Sequence, residues 1–142
     1  MTVGVICIDA NFVVGLVSSE PSDTRFRDLW NQWRESESQI VAPALIYYEV
    51  SNAFHRLAIG RLLLPERAAQ LLEDALSLNI TLYSDAELHR RASTLARQLM
   101  LSATYDAHYL ALAERLEAEF WTADQRLVRA VQANLSWVNL VG

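Results

Sequence analysis

Val3-Gly4-Val5-Ile6-Cys7-Ile8 is a short apolar run rich in β-branched residues, and it stops abruptly at Asp9. A strand buried on both faces reads this way, which predicts a parallel strand inside an α/β domain. Working outward, Asn11 to Val17 continues as a short apolar helix until Ser18-Ser19-Glu20-Pro21-Ser22 breaks it. Phe26, Leu29, Trp30 and Trp33 recur at helical spacing between Thr24 and Glu35, and Gln39 to Ala42 reads as a second strand.

Pro43 suits a first helical turn and Gly60 a stop just past the end. Between them Leu45, Ile46, Val50, Ala53, Phe54 and Leu57 form an apolar stripe. Pro65 opens a helix to about 77, and Asn79 to Tyr83 predicts a third strand. Ser84-Asp85-Ala86-Glu87 has the capping-box pattern before a helix reaching about Met100. A further helix spans about Ser102 to Ala118. Phe120-Trp121-Thr122 is a short strand, Gln125 to Ala133 a helix, and Ser136 to Leu140 a last strand. No repeat or linker interrupts the pattern, so a single domain over 1–142 with a mostly parallel sheet is expected. Ligands of such sheets bind beyond the carboxyl ends of the strands.

Composition narrows the chemistry. The chain has 142 residues, 52% hydrophobic and 20% charged, in the range of an ordinary globular domain. One cysteine, Cys7, excludes an internal disulfide and a cysteine-rich zinc module, and its place in an apolar strand suits a small core side chain. All 12 bases are arginine, so a phosphate loop or Schiff base that needs lysine is excluded. Glycines at 4, 15, 60 and 142 cannot make a dinucleotide-binding loop. A net charge of −5 argues against nonspecific coating of DNA but leaves room for RNA handled through a few arginines. No apolar run is long enough to span a membrane and no leader pattern stands at the start, so the cytoplasm is the expected compartment.

Four of the 17 acids break the binary pattern. Asp9 ends the first strand. Glu49 lies inside a helix, with Leu45, Ile46 and Ala53 one turn away on the apolar stripe. Asp106 stands in a first turn with Leu110 and Ala113 on its face, and Asp124 follows Trp121-Thr122 at the mouth of the next helix. Caps and the helix dipole offer separate explanations for Asp9, Asp124 and Asp106. Glu49 has no such role, since a mid-helix acid on an apolar face is rarely left unpaired. Carboxylates gathered away from solvent need a counter-charge. No arginine adjoins any of them in sequence, and oxygen-only ligands suit Mg²⁺ or Mn²⁺. Such clusters hydrolyse phosphodiesters.

Ile8-Asp9-Ala10-Asn11, Tyr48-Glu49-Val50-Ser51-Asn52-Ala53, Thr104-Tyr105-Asp106-Ala107-His108-Tyr109-Leu110-Ala111-Leu112-Ala113 and Trp121-Thr122-Ala123-Asp124-Gln125-Arg126-Leu127 together resemble the PIN domain. More narrowly, they are similar to the toxins of VapBC-type toxin–antitoxin pairs. The resemblance covers essentially the whole chain. It implies a three-layer α/β/α sandwich whose central, mostly parallel sheet has about five strands. It also implies a Mg²⁺- or Mn²⁺-dependent endoribonuclease, a homodimer, and a small antitoxin partner. Asp9, Glu49, Asp106 and Asp124 would hold the metal, Asp9 and Asp106 most directly, with Asn11 and Thr122 in support. One departure is Glu117, where relatives often have glycine at a turn.

Arg56, Arg61, Arg126 and Arg129 are the expected phosphate contacts. His108, two residues from Asp106, falls on roughly the opposite helix face and is not expected to bind metal. Trp30 and Trp33 are expected in the core or at a dimer contact, and the helices over 24–36 and 65–77 to flank an apolar groove for a partner. Two rival readings are a non-catalytic interaction module that binds metal for stability only, and a phosphatase or phosphoacceptor domain. The second is disfavoured by the missing lysine and by the lack of a second acid beside Asp9.

Overall fold

A computed structural model describes residues 4–142. Five parallel strands form one sheet: β1 (Val5–Ile8), β2 (Gln39–Pro43), β3 (Thr81–Tyr83), β4 (Glu119–Thr122) and β5 (Val138–Leu140), in the order β3-β2-β1-β4-β5. The sequence predicts the same five strands; Val3 lies outside the described residues. Seven helices flank the sheet among the described residues: α1 (Ala10–Ser18), α2 (Arg25–Glu35), α3 (Leu45–Ile59), α4 (Pro65–Leu76), α5 (Ala86–Gln98), α6 (Tyr105–Leu116) and α7 (Gln125–Val131). This is the expected α/β/α sandwich. α1 packs on α2, α3 and α4, whereas α6 pairs with α5 and lies along β1, β2 and β4. β1 is therefore central, and the chain leaves it toward β2 on one side and β4 on the other.

The apolar patterning accounts for the core. Cys7, Ile8, Val41, Ala42 and Phe120 are fully buried between the helical layers. Trp30 and Trp33 belong to the core and not to an exposed contact, at 8% and 5% exposure. Trp33 leans on Phe12 (ring centroids 5.2 Å apart) and Trp121 (5.9 Å), and Phe26 meets Phe12 edge-on at 5.4 Å. Gly15 lets the Phe26 ring lie against α1, because a Cβ there would stand 2.3 Å from Phe26 Cζ. The expected apolar groove between α2 and α4 is not what lies there: the pocket beside α2 is lined by Trp30, Arg34, Ser38, Ile40, Ser77, Leu78 and Asn79, more than half of them polar.

Three local expectations need correction. Pro43 ends β2 and α3 begins only at Leu45, because the β2–β3 pairing extends through Pro43 opposite Tyr83. Asp85, not Ser84, caps α5: its carboxylate accepts the Leu88 N–H at 2.8 Å. Residues 102–104 precede α6, which starts at Tyr105 and stops at Leu116, where Glu117 takes a left-handed conformation with φ 51°.

Candidate active site

In a parallel sheet, neighbouring strands that run in register end together. Ile8 of β1 pairs with Trp121 of β4, so the next residues, Asp9 and Thr122, emerge side by side at the carboxyl edge. This edge is where the strand order reverses, between β1 and β4. Open α/β sheets form a crevice at that place. Asp9 is 5% exposed and Thr122 fully buried, the two buried polar residues among those described.

Hydrogen bonding fixes both. Asp9 Oδ1 accepts the Phe12 N–H at 3.0 Å and so caps α1, while Oδ2 accepts the Thr122 hydroxyl at 2.5 Å. Thr122 Oγ1 in turn accepts the Asp124 N–H at 3.0 Å, so the one hydroxyl links the two acids. Asp124 Oδ1 caps α7 by accepting the N–H groups of Arg126 (3.0 Å) and Leu127 (3.2 Å), and Oδ2 makes no such bond. Capping and a place in the site are therefore compatible, because each cap occupies only one carboxylate oxygen.

Two helices bring the other acids. α3 presents half-buried Glu49, and α6 presents Asp106 in its first turn. A cavity of about 210 Å³ opens between them, lined by Asp9, Asn11, Glu49, Asn52, Arg56, Asp106 and Tyr109 with Ala10, Val14 and Ala53. Asp124 is not part of its wall, although its charge acts on Asp106. Asn11 lines the cavity as an exposed side chain, whereas Thr122 is buried, bonds to Asp9 and does not line it.

Burial dominates the electrostatics of the site, and the neighbouring acids add to it. Burial pushes the Asp9 carboxyl up to about 7, opposed by the bonds from Thr122 and Phe12 and reinforced by Asp106 and Glu49. Asp106 is raised first by burial, then by Asp124 and Glu49. Arg56 is the one arginine in the wall. Among the described residues Arg25, Arg90, Arg91 and Arg115 form ion pairs, with Asp23, Glu87, Glu114 and Asp85, away from this cavity. Among the described residues no group of three or more His, Cys, Asp or Glu side chains is arranged to hold a metal ion.

Each remaining expectation has a place. Arg61 lies past the end of α3, and Arg126 and Arg129 are exposed on α7; none lines the cavity. His108 turns away to His89 (Nε2 to Nδ1, 2.9 Å) and its Nδ1 bonds the Thr104 carbonyl at 2.6 Å. Cys7 is a buried core side chain whose thiol points to the Tyr109 carbonyl at 3.6 Å. Burial, then the Asp9 charge, raises that thiol and leaves it protonated. Sequence reasoning missed Asn52 and Tyr109. Asn52 is three residues from Glu49 on α3, so helical spacing from a suspected acid was the available signal.

A family model described as PIN, PIN domain, matches residues 6–132. The chain belongs to the PIN-domain family. Solved structures are similar to this PIN domain over nearly its whole length. A chain of a toxin-antitoxin complex from Klebsiella pneumoniae aligns with a TM-score of 0.70 at 17% identity, covering 96% of this chain and 98% of that one. PAE2754 from Pyrobaculum aerophilum gives 0.66 at 24%, covering 95% and 90%. VapBC2 from Rickettsia felis, bound to a DNA fragment from their promoter, gives 0.67 at 14%, covering 88% and 92%. At these identities the likeness speaks for the fold of this PIN domain. No curated protein matches it. Among its described residues no helix is long and apolar enough to cross a membrane.

Proposed function

We propose that this PIN domain is a Mg²⁺- or Mn²⁺-dependent endoribonuclease and the toxin of a toxin–antitoxin pair, acting in the cytoplasm. The observation that carries the reading is Asp9: a buried carboxylate at the strand-order reversal, pushed up to about 7, beside Asp106 and Glu49. Such a group is stabilised in its charged form by a cation. The donors are oxygens only, which fits a hard ion. Mg²⁺ keeps several waters and takes one or two carboxylates directly, which Asp9, Glu49 and Asp106 around one cavity can supply.

Asp9 and Asp106 would be the most direct ligands, with Glu49 and Asp124 completing the acidic set. Once held there, a divalent cation supplies an acidified water and stabilises negative charge on the phosphate. The protein's part is to orient. Thr122 fixes Asp9, the α7 cap fixes Asp124, and Asn11 and Arg56 stand in the wall where a phosphate would enter. Arg56 offers a guanidinium fork to phosphate oxygens, while its charge tempers repulsion between the acids and the RNA. Arg61, Arg126 and Arg129 would contact phosphates farther along the strand.

A small antitoxin partner accords with the toxin-antitoxin neighbours, and a homodimeric state is part of the same proposal. Expression of the wild-type chain in growing bacteria tests the proposal. It is expected to arrest growth and add new cut ends to cellular RNA, relieved by an adjacent small open reading frame, whereas Asp9→Asn does neither. Normal growth and intact RNA with soluble wild-type protein at high level, and no partner co-expressed, contradict it.

A further inference from the structure

The two helices that bring acids to the cavity meet through one polar contact. Tyr109 of α6 lies three residues after Asp106, hence on the same helix face, and is 1% exposed. Its hydroxyl donates to Glu49 Oε1 at 2.5 Å. Among the described residues no other side-chain hydrogen bond joins α3 to α6. The tyrosine cannot swing, since its ring is buried against Phe120 with centroids 6.1 Å apart. A half-buried glutamate with three rotatable bonds would otherwise lose much side-chain entropy on taking one geometry. Here a rigid partner imposes that geometry before any ligand arrives.

We propose that Tyr109 is the positioning residue of the acidic site. By engaging Oε1 it holds the Glu49 carboxylate in one place and leaves Oε2 as the uncommitted oxygen in the cavity that Glu49 lines with Asp9 and Asp106. The inference rests on the metal-dependent nuclease reading. Partners that orient a ligating carboxylate change metal affinity or activity by about 10- to 100-fold.

Tyr109→Phe removes the hydroxyl and keeps the ring. Mn²⁺ binding by calorimetry, RNA cleavage and thermal melting would be compared with wild type. The expected result is an Mn²⁺ Kd raised on the order of tenfold, with kcat lowered and KM for RNA little changed. In a Glu49→Ala background the same substitution should leave the Mn²⁺ Kd unmoved, because Tyr109 acts through Glu49. A lower Tm with unaltered Mn²⁺ affinity in the folded variant would mean a structural role and overturn the proposal. Should Tyr109→Phe not fold, Glu49→Asp withdraws the carboxylate from the hydroxyl by one methylene and carries the same expectation. Unchanged affinity there also overturns it. Wild-type protein that neither binds Mn²⁺ nor cuts RNA would sink the nuclease reading as well. Wild-type protein that does both, with Tyr109→Phe indistinguishable from it, sinks the positioning role alone.

Discussion

Asp9 shows how much one side chain is asked to do. It ends β1, caps α1, accepts the Thr122 hydroxyl and stands among other acids while nearly sealed from water. Its carboxyl sits at about 7 in the folded chain against an ordinary 3.8, so the folded state binds the extra proton. Stability without metal should therefore fall as pH rises from about 4 to 7, by up to a few kcal/mol. Asp106, also raised, adds in the same sense. Asp23 and Asp85, lowered to about 2 by Arg25 and Arg115, act only on the more acidic side. Melting curves at pH 5 and 8 in EDTA check this: Asp9→Asn should flatten the dependence, and Mg²⁺ at pH 8 should raise the wild-type Tm but not that of the variant.

At the same scale, Thr122→Val deletes the hydroxyl that holds Asp9 and strands the Asp124 N–H. It should lower cleavage at least tenfold, whereas Thr122→Ser keeps most of it. The four acids stand out in sequence because each interrupts an apolar pattern, and three of them, Asp9, Glu49 and Asp106, meet at one cavity. Tyr109 was not, because an aromatic at helical spacing in Leu110-Ala111-Leu112-Ala113 reads as core, and most of it is core. Only its hydroxyl, with a partner 60 residues away, belongs to the site.

Elements were readable through their periodicity and less so through their ends. Gly60 suggested a helix stop and is the C-cap of α3, while the left-handed residue that follows is Arg61. Four helices, α2, α3, α5 and α6, end in the same way, on Glu37, Arg61, Met100 and Glu117, each non-glycine with φ between 51° and 59°. Each is followed by an N–H that reaches back five residues: Ser38 to Trp33, Leu62 to Leu57, Leu101 to Ala96 and Ala118 to Ala113. These paired bonds define the terminating motif that normally favours glycine, so the sequence withholds its usual signal at all four ends.

Glu117→Gly should stabilise the chain by about 1 kcal/mol in chemical denaturation, by relieving the left-handed strain. Gly15→Ala should do the opposite. Its Cβ would press on a Phe26 ring locked against Phe12, and the cost of about 1–3 kcal/mol exceeds the gain of roughly 1 kcal/mol in helix propensity.

For the whole molecule, the parallel sheet does the gathering. Register alone sets Asp9 beside Thr122 across 113 residues of chain, and α3 and α6 converge on the same edge. Fold class was legible because short apolar runs alternate with amphipathic helices. Which residues line one cavity was not, since strand order is a three-dimensional fact: Arg56 enters the wall while Arg61, Arg126 and Arg129 do not. Arg56→Ala is accordingly expected to weaken RNA binding more than substitution of any of those three, measured on protein kept inactive by Asp9→Asn.

Cleavage of a mixed RNA pool by purified, antitoxin-free protein, with Mg²⁺ or Mn²⁺ and with EDTA, tests the central claim most directly. Metal-dependent cutting is predicted, abolished by EDTA and by Asp9→Asn, with ends free of 2′,3′-cyclic phosphate because water and not the ribose hydroxyl attacks. Cutting that survives both EDTA and Asp9→Asn, or folded protein that binds no metal and cuts nothing, would contradict it.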